Sequence, residues 1–283
     1  MKVIDALQKG KPTVSFEFFP PKTKEQEIHL FSVLTELKQF NPNFVSVTCG
    51  AMGQNREKTF YWVKEIRDKF GLEPVAHLTC AAASKEEIAA QVKDLDRIGV
   101  ENILALRGDA TAGVFKHACE LVSFIKTLNP SICIGVAGYP EKHPESKDFK
   151  DDIEHLKAKV EAGADYVVTQ LFFENKYFFE FRDRCRQAGI KAPIIPGIMP
   201  ITSLKQIQKM TGVCGATVPS ALLSELEKVK DDHIKVETIG VRQAVSQCRG
   251  LLEKNVPGIH FFVLNQAGPI TRILKQLHSS AHN

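Results

Sequence analysis

Short apolar runs alternate with amphipathic helical segments from Thr13 nearly to the end of the 283-residue chain. The runs contain few polar residues, which is typical of strands in a parallel sheet whose two faces are both covered. The predicted strands span residues 13–19, 44–48, 74–78, 102–106, 132–137, 166–171, 193–198 and 259–264. Eight strand–helix units are the number that closes a parallel barrel.

Helical periodicity fills the segments between these strands. The predicted helices span residues 24–40, 55–70, 84–98, 115–128, 149–162 and 177–188, and a last short helix begins at Pro269. The helix at 84–98 has clear boundaries, because Ser84 and Glu87 have the spacing of a capping box and Gly99 follows the last turn. A mainly helical stretch, 203–255, separates the seventh and eighth strands.

We therefore predict an α/β fold, a (β/α)8 TIM barrel that forms a single domain over residues 1–283, with extra helices between strands 7 and 8. The alternative for the same alternation is an open, doubly wound sheet. No predicted strand is followed by the G-x-G-x-x-G pattern of a dinucleotide-binding sheet, so a Rossmann site is the weaker interpretation.

Composition argues against several classes of partner. The formal net charge is +4 and the basic residues are scattered, which favours neither nucleic acid nor a membrane surface. Seven cysteines without a C-x-x-C pair are typical of a reducing cytoplasm, and no histidine–cysteine spacing suits a zinc site. The N-terminus lacks the apolar region of a signal peptide, and no apolar run is long enough to span a bilayer.

One carboxylate interrupts the first predicted strand. Side chains alternate along a strand, so Phe16 and Phe18 share one face while Ser15 and Glu17 share the other. The ordinary interpretation is a glutamate at a strand end that pairs with a lysine. The functional interpretation is a desolvated glutamate whose raised pKa keeps it protonated near neutral pH, so that it can act as a general acid.

Polar or small residues follow most of the predicted strands. In a TIM barrel the carboxyl ends of the strands lie at one face, where catalytic residues collect. The series comprises Glu17, Thr48, His77, Arg107, Asp109, Tyr139, His143, Gln170 and Gly197. Chance explains one or two of these positions but not the whole series, so we expect an extended polar ligand with an aromatic part at this face.

Individual members of the series also have ordinary structural interpretations. Taken alone, His77 is typical of a core histidine, and Arg107 with Asp109 is as typical of a loop ion pair as of a site. Gln170 is harder to explain in this way, because a buried amide in an apolar strand needs hydrogen-bond partners. Spacing alone does not name the ligand.

A resemblance to a known family rests on motifs that follow one another along nearly the whole chain. They are Ser15-Phe-Glu-Phe-Phe-Pro-Pro21, Phe44-Val-Ser-Val-Thr48, His77-Leu-Thr-Cys80, Leu106-Arg-Gly-Asp109, Val136-Ala-Gly-Tyr-Pro-Glu-Lys-His-Pro-Glu145, Ala162-Gly-Ala-Asp165, Thr169-Gln-Leu-Phe-Phe173, Ile195-Pro-Gly-Ile198 and His260-Phe-Phe-Val-Leu-Asn265. In this order they resemble the methylenetetrahydrofolate reductases, which are flavin-dependent barrel enzymes.

The resemblance implies FAD held non-covalently, NADH or NADPH as electron donor, and hydride transfer to methylenetetrahydrofolate that yields 5-methyltetrahydrofolate. It implies that Glu17 protonates a folate nitrogen and that Asp109 stabilises the cationic iminium which follows. The implied folate contacts are Glu17, Asp109, Gln170 and Gln206. Oligomers are common in the family, which makes a homo-oligomer one possible state, and the sequence leaves the oligomeric state open.

The FAD contacts are also implied by resemblance, motif by motif. They are Thr48, His77, Arg107, Gly108, Asp109, His117, Ala137, Tyr139, His143, Asp152 and Lys159. Arg107, His143 and Lys159 suit the pyrophosphate and ribose, where positive charge and hydrogen-bond donors are needed. His117 stands where the family often has a tyrosine.

Two residues depart from the family's pattern. Gln266 stands where many relatives have an arginine near the substrate, and Phe262 stands where a tyrosine is common. The electron donor is therefore open between NAD(P)H and a partner redox protein that feeds a reductase subunit. A non-catalytic flavin- or folate-binding homologue is the other alternative, against which the intact acidic and amide residues argue. The chain ends soon after the barrel, so we expect no inhibition by S-adenosylmethionine.

Overall fold

Eight parallel strands form the closed barrel of the computed structural model, which describes residues 1–49, 56–109 and 113–279. The strands are β1 (Thr13–Phe18), β2 (Phe44–Val47), β3 (Pro74–Thr79), β4 (Asn102–Leu106), β5 (Cys133–Gly138), β6 (Tyr166–Leu171), β7 (Ile194–Ile198) and β8 (Gly258–Phe262). Each strand pairs with its neighbour in the sequence, and β8 pairs with β1. The predicted TIM barrel is confirmed, and the open sheet is excluded by the β1–β8 ladder.

Helices cover the outside of the barrel. They are α1 (Val3–Leu7), α2 (Lys24–Lys38), α3 (Arg56–Glu65), α4 (Lys85–Arg97), α5 (Ala118–Leu128), α6 (Phe149–Glu161), α7 (Asn175–Gln187), α8 (Leu204–Cys214), α9 (Ser220–Glu227), α10 (His233–Leu252) and α11 (Ala267–Ser279). The helix predicted at 55–70 does not end with α3, because Ile66–Phe70 continue it as a π-helical turn. Within the described ranges, no helix is both long enough and apolar enough to cross a bilayer.

The predicted elements agree with the structure except at several ends. The capping box of Ser84 and Glu87 is present at the start of α4. Strand β8 ends at Phe262, two residues earlier than predicted, because Leu264 and Asn265 adopt left-handed backbone conformations that turn the chain away from the sheet. The predicted helix start at residue 55 and the chain beyond residue 279 lie outside the described residues.

Helix α1 was not predicted, and it closes the amino-terminal end of the barrel. Val3 and Leu7 of α1 join the inner apolar layer that includes Phe44, Leu104 and Tyr166. The amide of Val3 donates to Asn102 Oδ1 at 2.8 Å. This end of the barrel interior is therefore filled by side chains, and the functional cavity lies at the opposite end.

Close packing also holds the helices inserted between β7 and β8. Helices α8 to α10 bury apolar side chains against a small core that includes Phe173, Met199 and Ile201. Gly240 in α10 lies so close to the segment after β7 that an added Cβ would overlap the carbonyl oxygen of Ile201. Only a residue without a side chain allows this helix to approach the barrel mouth so closely.

We expect Gly240→Ala to lower the free energy of unfolding by about 2 kcal/mol, because overpacking a close backbone contact strains the structure. Gly212→Ala is the matched control, since Gly212 is also inside a helix and an added Cβ meets no heavy atom within 4 Å. This control should raise stability by about 0.5–1 kcal/mol through helix propensity. The free energies of unfolding of both variants are measured by urea titration, with circular dichroism as the signal. Equal effects of the two substitutions would contradict the packing of α10 described above.

Candidate active site

A cavity of about 1070 Å³ opens at the carboxyl ends of the barrel strands. Its wall runs from side chains of β1 and β8 on one side to the first turn of α5 and one face of α6 on the other. The predicted site residues that line it are Glu17, Thr48, His77, Arg107, Gly108, Asp109, His117, Ala137, Tyr139, His143, Asp152, Lys159 and Gln170. Gln206 does not join them, because it lines a separate small depression next to Ser203 and Leu264.

Glu17 lies between two imidazoles. Its Oε2 atom is 3.3 Å from His77 Nε2 and 3.6 Å from His260 Nε2. The side chain of Glu17 is 14% exposed, whereas those of His77 and His260 are 6% and 1% exposed. The partners of this carboxylate are thus two buried histidines and not the lysine of the ordinary interpretation.

The pKa of Glu17 corrects the expectation of a protonated acid. Burial raises the pKa of Glu17, as predicted, but the charge of His77 and the contacts with both imidazoles outweigh burial and lower the pKa to about 2. At neutral pH, Glu17 of the ligand-free protein is a carboxylate. The expectation was wrong because the sequence around Glu17 shows the phenylalanines that desolvate it but not the distant histidines that neutralise it.

His260 is not among the predicted site residues, although one of the family motifs begins with it. It projects into the barrel from β8, and the strand register pairs it with Ser15 of β1. His260 Nδ1 lies 2.8 Å from Ser15 Oγ. The ring of Phe44 stacks on the imidazole at 6.0 Å, and the ring of Phe262 meets it edge-on at 5.5 Å. The available signal was one histidine inside the apolar run at 259–264.

A close approach between β6, β7 and β8 shapes this side of the cavity. An added Cβ at Gly197 would overlap both the Thr169 carbonyl oxygen and the Phe262 ring. The amide of Gly197 donates to Thr169 Oγ1 at 2.9 Å. The register between β6 and β7 shifts just here, and Gln170 in the shifted segment lines the cavity. A bulge of this kind re-aims a side chain near the end of a strand.

A half-buried lysine forms the far wall. Lys159 of α6 donates from Nζ to the carbonyl oxygen of Ala137 at 2.6 Å. Burial lowers the pKa of Lys159 to about 8, against the opposing effect of the nearby Asp152 carboxylate. Asp152 itself accepts a hydrogen bond from Ser146 Oγ at 2.9 Å. A desolvated lysine next to a large cavity favours an anionic ligand.

Further donors stand along the rim between these walls. Arg107 Nη1 donates to Glu145 Oε2 at 2.6 Å, and Gly108 after it has a left-handed φ of 83°, a conformation that glycine adopts without strain. The rings of Tyr139 and His143 meet edge-on at 4.5 Å. Burial raises the pKa of Tyr139 to about 12 and lowers that of His143. At neutral pH the Tyr139 hydroxyl is therefore a neutral donor.

Several buried polar atoms inside the barrel have no hydrogen-bond partner among the described residues. They are Ser46 Oγ, His77 Nε2, Thr79 Oγ1, Tyr166 Oη and His260 Nε2. Unpartnered buried polar atoms are rare in native proteins and cluster where ligands bind. In the same described ranges, no group of histidine, cysteine or acidic side chains has the arrangement of a metal site.

The closed parallel barrel and the large cavity at its strand carboxyl ends, lined by several ionisable side chains, define a TIM-barrel enzyme. A family model described as methylenetetrahydrofolate reductase matches residues 2–278. The chain belongs to the methylenetetrahydrofolate reductase family, whose members are oxidoreductases. The resemblance predicted from the ordered motifs is confirmed.

Relatives in several organisms match the chain. It is 39% identical over 261 residues to the 5,10-methylenetetrahydrofolate reductase of Escherichia coli (strain K12), which covers 91% of this chain and 88% of that protein. It is 35% identical over 288 residues to methylenetetrahydrofolate reductase (NADH) 1 of Arabidopsis thaliana, covering 94% of this chain and 49% of that protein.

Solved structures share the fold. An uncharacterized protein from Clostridium thermocellum that binds two copies of 5-methyl-5,6,7,8-tetrahydrofolic acid superimposes with a TM-score of 0.71. The alignment covers 100% of this chain and 99% of that one at 14% sequence identity. At this identity the likeness shows the barrel fold alone.

We expect the stability that Glu17 contributes to be lost in acid. A carboxyl with a pKa of 4.5 in the unfolded chain and about 2 in the folded protein stabilises the fold above pH 4.5, and this contribution disappears as the pH falls towards 2. Between about pH 5 and pH 3, the wild type should lose about 2 kcal/mol of unfolding free energy relative to Glu17→Gln.

Urea titrations at each pH measure this difference. The control is Glu253→Gln, which removes an exposed carboxylate at the end of α10. The control should follow the wild type throughout. Parallel pH dependences of the wild type and Glu17→Gln would show that Glu17 is not the depressed carboxyl that the structure contains.

Proposed function

We propose that this protein is a 5,10-methylenetetrahydrofolate reductase that uses FAD to pass hydride from NADH to methylenetetrahydrofolate. The observation that supports it best is the pairing of Glu17 with two buried imidazoles on one wall of a cavity whose other wall carries Lys159. One wall supplies proton chemistry and the other supplies a cation for an anionic cofactor. The names of the relatives supply the substrate and, for the Arabidopsis protein, NADH.

The residues present fit a dinucleotide flavin. The cavity is at the upper end of the roughly 300–1,000 Å³ range of ligand pockets. Lys159, Arg107 and His143 offer donors and positive charge for the pyrophosphate and ribose. When bound, FAD supplies a ring that accepts hydride from a nicotinamide and passes it to a second substrate.

The phosphate-side residues change partners when an anion arrives. Lys159 donates to the backbone of Ala137, and burial lowers its pKa to about 8, so the side chain is mostly charged at neutral pH. A phosphate group near Nζ would stabilise this charged form further. Arg107 now pairs with Glu145, whose side chain is 62% exposed, so this pair exchanges for a bidentate phosphate contact at little cost.

Proton delivery is the task of Glu17. The methylene bridge of the folate becomes a hydride acceptor when a proton on a folate nitrogen opens its ring to an iminium cation. Glu17 reaches the cavity wall from β1 and is the acid for this step once it has taken up a proton. Asp109, exposed at the end of β4, offers a negative charge to the cation.

Gln170 and Gln206 are the amide contacts of the proposal. Gln170 Oε1 accepts a hydrogen bond from the amide of Leu171 at 2.9 Å, which orients its Nε2 group as a donor towards the folate. Gln206 stands outside the cavity wall, in a separate depression at the start of α8. Of the two, Gln170 is the contact that the geometry supports.

A reductase subunit that receives electrons from a partner redox protein is the second candidate. It is favoured by Phe262 and Gln266, which replace the tyrosine and arginine common in the family. Phe262 lines the cavity, and Gln266 is exposed and does not. A cytoplasmic setting and a homo-oligomer are part of the main proposal on the sequence grounds given above.

We expect the purified protein to be yellow, to bleach with NADH in the absence of oxygen, and to regain its colour when methylenetetrahydrofolate is added. Flavin absorbance near its visible maximum follows each step. A protein that binds FAD but is bleached by dithionite and not by NAD(P)H would favour the partner-fed subunit. A protein that takes up no FAD would contradict the proposal.

In Glu17→Gln, flavin binding and reduction by NADH should persist, while reoxidation by methylenetetrahydrofolate slows by at least about a hundredfold. Glutamine keeps the shape of the side chain but cannot carry the proton. His233→Asn, at the exposed start of α10, is the matched surface control and should behave as the wild type. Stopped-flow absorbance separates the two half-reactions. An unchanged folate half-reaction in Glu17→Gln would remove this residue as the acid.

A further inference from the structure

His260 is buried behind Glu17 and is not among the residues that line the cavity. We propose that His260 holds the proton that Glu17 delivers, so that the two side chains act as one proton-carrying pair; the inference rests on the proposed function. His260 is thereby a positioning residue, because it acts on the substrate only through Glu17.

The polar neighbour of His260 Nε2 among the described residues is Glu17. Its contact with Glu17 Oε2 is 3.6 Å, and Nε2 has no hydrogen bond to any other described residue. A contraction of about 0.7 Å brings the two atoms to hydrogen-bonding distance. Phe44 and Phe262 pack against the imidazole, so the ring is held in place and shielded from solvent.

The contacts of Ser15 suit the form of His260 that the proposal uses, with a hydrogen on Nδ1. Ser15 Oγ lies 2.8 Å from His260 Nδ1 and 3.4 Å from the carbonyl oxygen of Ile259. When Ser15 donates to Ile259, Nδ1 must carry a hydrogen and donate to Oγ. A bare Nε2 would then face the Glu17 carboxylate and repel it, so a second proton lies between Nε2 and Oε2.

The proton moves without changing the charge of the pair. The Nε2–H bond of His260 breaks while an O–H bond forms on Glu17 Oε2, which converts an ion pair into two neutral groups. The new O–H bond then breaks as an N–H bond forms on the folate nitrogen. Glu17 is again a carboxylate, and His260 keeps its remaining hydrogen on Nδ1. Solvent returns the proton after product leaves, through the exposed part of Glu17.

Ligand binding favours the neutral form of the pair. In the open cavity Glu17 is partly exposed, and its ionised form is stabilised by water as well as by the imidazoles. A bound cofactor and folate displace this water, and burial disfavours separated charges. The pair therefore explains how a carboxyl that is ionised in the ligand-free protein becomes an acid when the cavity is filled.

Other titratable groups face the pair from neighbouring strands. His77 of β3 contacts the same Glu17 oxygen, and Tyr166 of β6 packs against Phe44 beneath the His260 ring. Lys22 and Asp109 line the cavity above. His77 also lines the cavity and is a proposed flavin contact. His260 touches no ligand and can store a proton without altering ligand binding.

The test measures the flavin-loaded protein and compares His260→Asn with the wild type and with the surface control His233→Asn. We expect NADH reduction of the flavin to change by less than about twofold. The folate half-reaction should slow by on the order of a hundredfold. Its rate should also begin to fall at a lower pH than in the wild type, because Glu17 alone loses its proton earlier than the pair does.

A second measurement does not depend on activity. Nitrogen-15 NMR of labelled imidazoles should show a proton on His260 Nε2 in the flavin-loaded wild type, and loss of this proton on addition of 5-methyltetrahydrofolate. Ser15→Ala keeps His260 but removes the acceptor of its Nδ1 hydrogen. This variant should fold, retain flavin and show a smaller loss of the folate half-reaction than His260→Asn.

The outcomes separate the two hypotheses. If the wild type fails to bind flavin or to reduce it with NADH, the proposed function fails. If the wild type is active, and His260→Asn or Ser15→Ala shows the wild-type rate and pH profile, the pairing of His260 with Glu17 is wrong while the proposed function stands. If His260→Asn does not fold, the pH profile of Ser15→Ala and the imidazole spectrum of the wild type test the pairing instead. A wild-type profile in Ser15→Ala, or no proton on His260 Nε2, would contradict it.

Discussion

The ladder between β1 and β8 is the constraint on which the site depends. It joins the first and last strands of the barrel and pairs Ser15 with His260 and Glu17 with Phe262. Without this closure the carboxylate at the end of β1 would lie on an open sheet edge in contact with water. With closure, it is enclosed by imidazoles that the chain supplies from β3 and β8.

Burial and charge oppose each other at both walls of the cavity. At Glu17 the effect of the imidazoles outweighs that of burial, so the pKa is lowered and the carboxyl stays ionised. At Lys159 the effect of burial outweighs that of Asp152, so the pKa of the lysine is lowered. Each wall therefore holds a group whose state responds to what enters the cavity. An anionic ligand favours the charged lysine, and a ligand that excludes water favours a protonated Glu17.

Two glycines allow the elements around the cavity to pack closely. Gly197 allows the Phe262 ring to lie over β7 and enclose His260 from the side, and Gly240 allows α10 to approach the barrel mouth. Both contacts involve backbone or rings that a Cβ would displace. The site is thus supported by packing that extends beyond the cavity wall, into helices inserted between the last two strands.

The sequence by itself determined the eight strands and most of the helices, because hydrophobic periodicity and caps are local along the chain. Its family motifs also pointed to many of the residues that line the cavity. It did not reveal α1, whose short segment is helical because Val3 and Leu7 fill the barrel floor. It also predicted the wrong ionisation state for Glu17. Only the tertiary structure decided that state, since electrostatic interactions act through space and His260 becomes a neighbour of Glu17 only when the barrel closes.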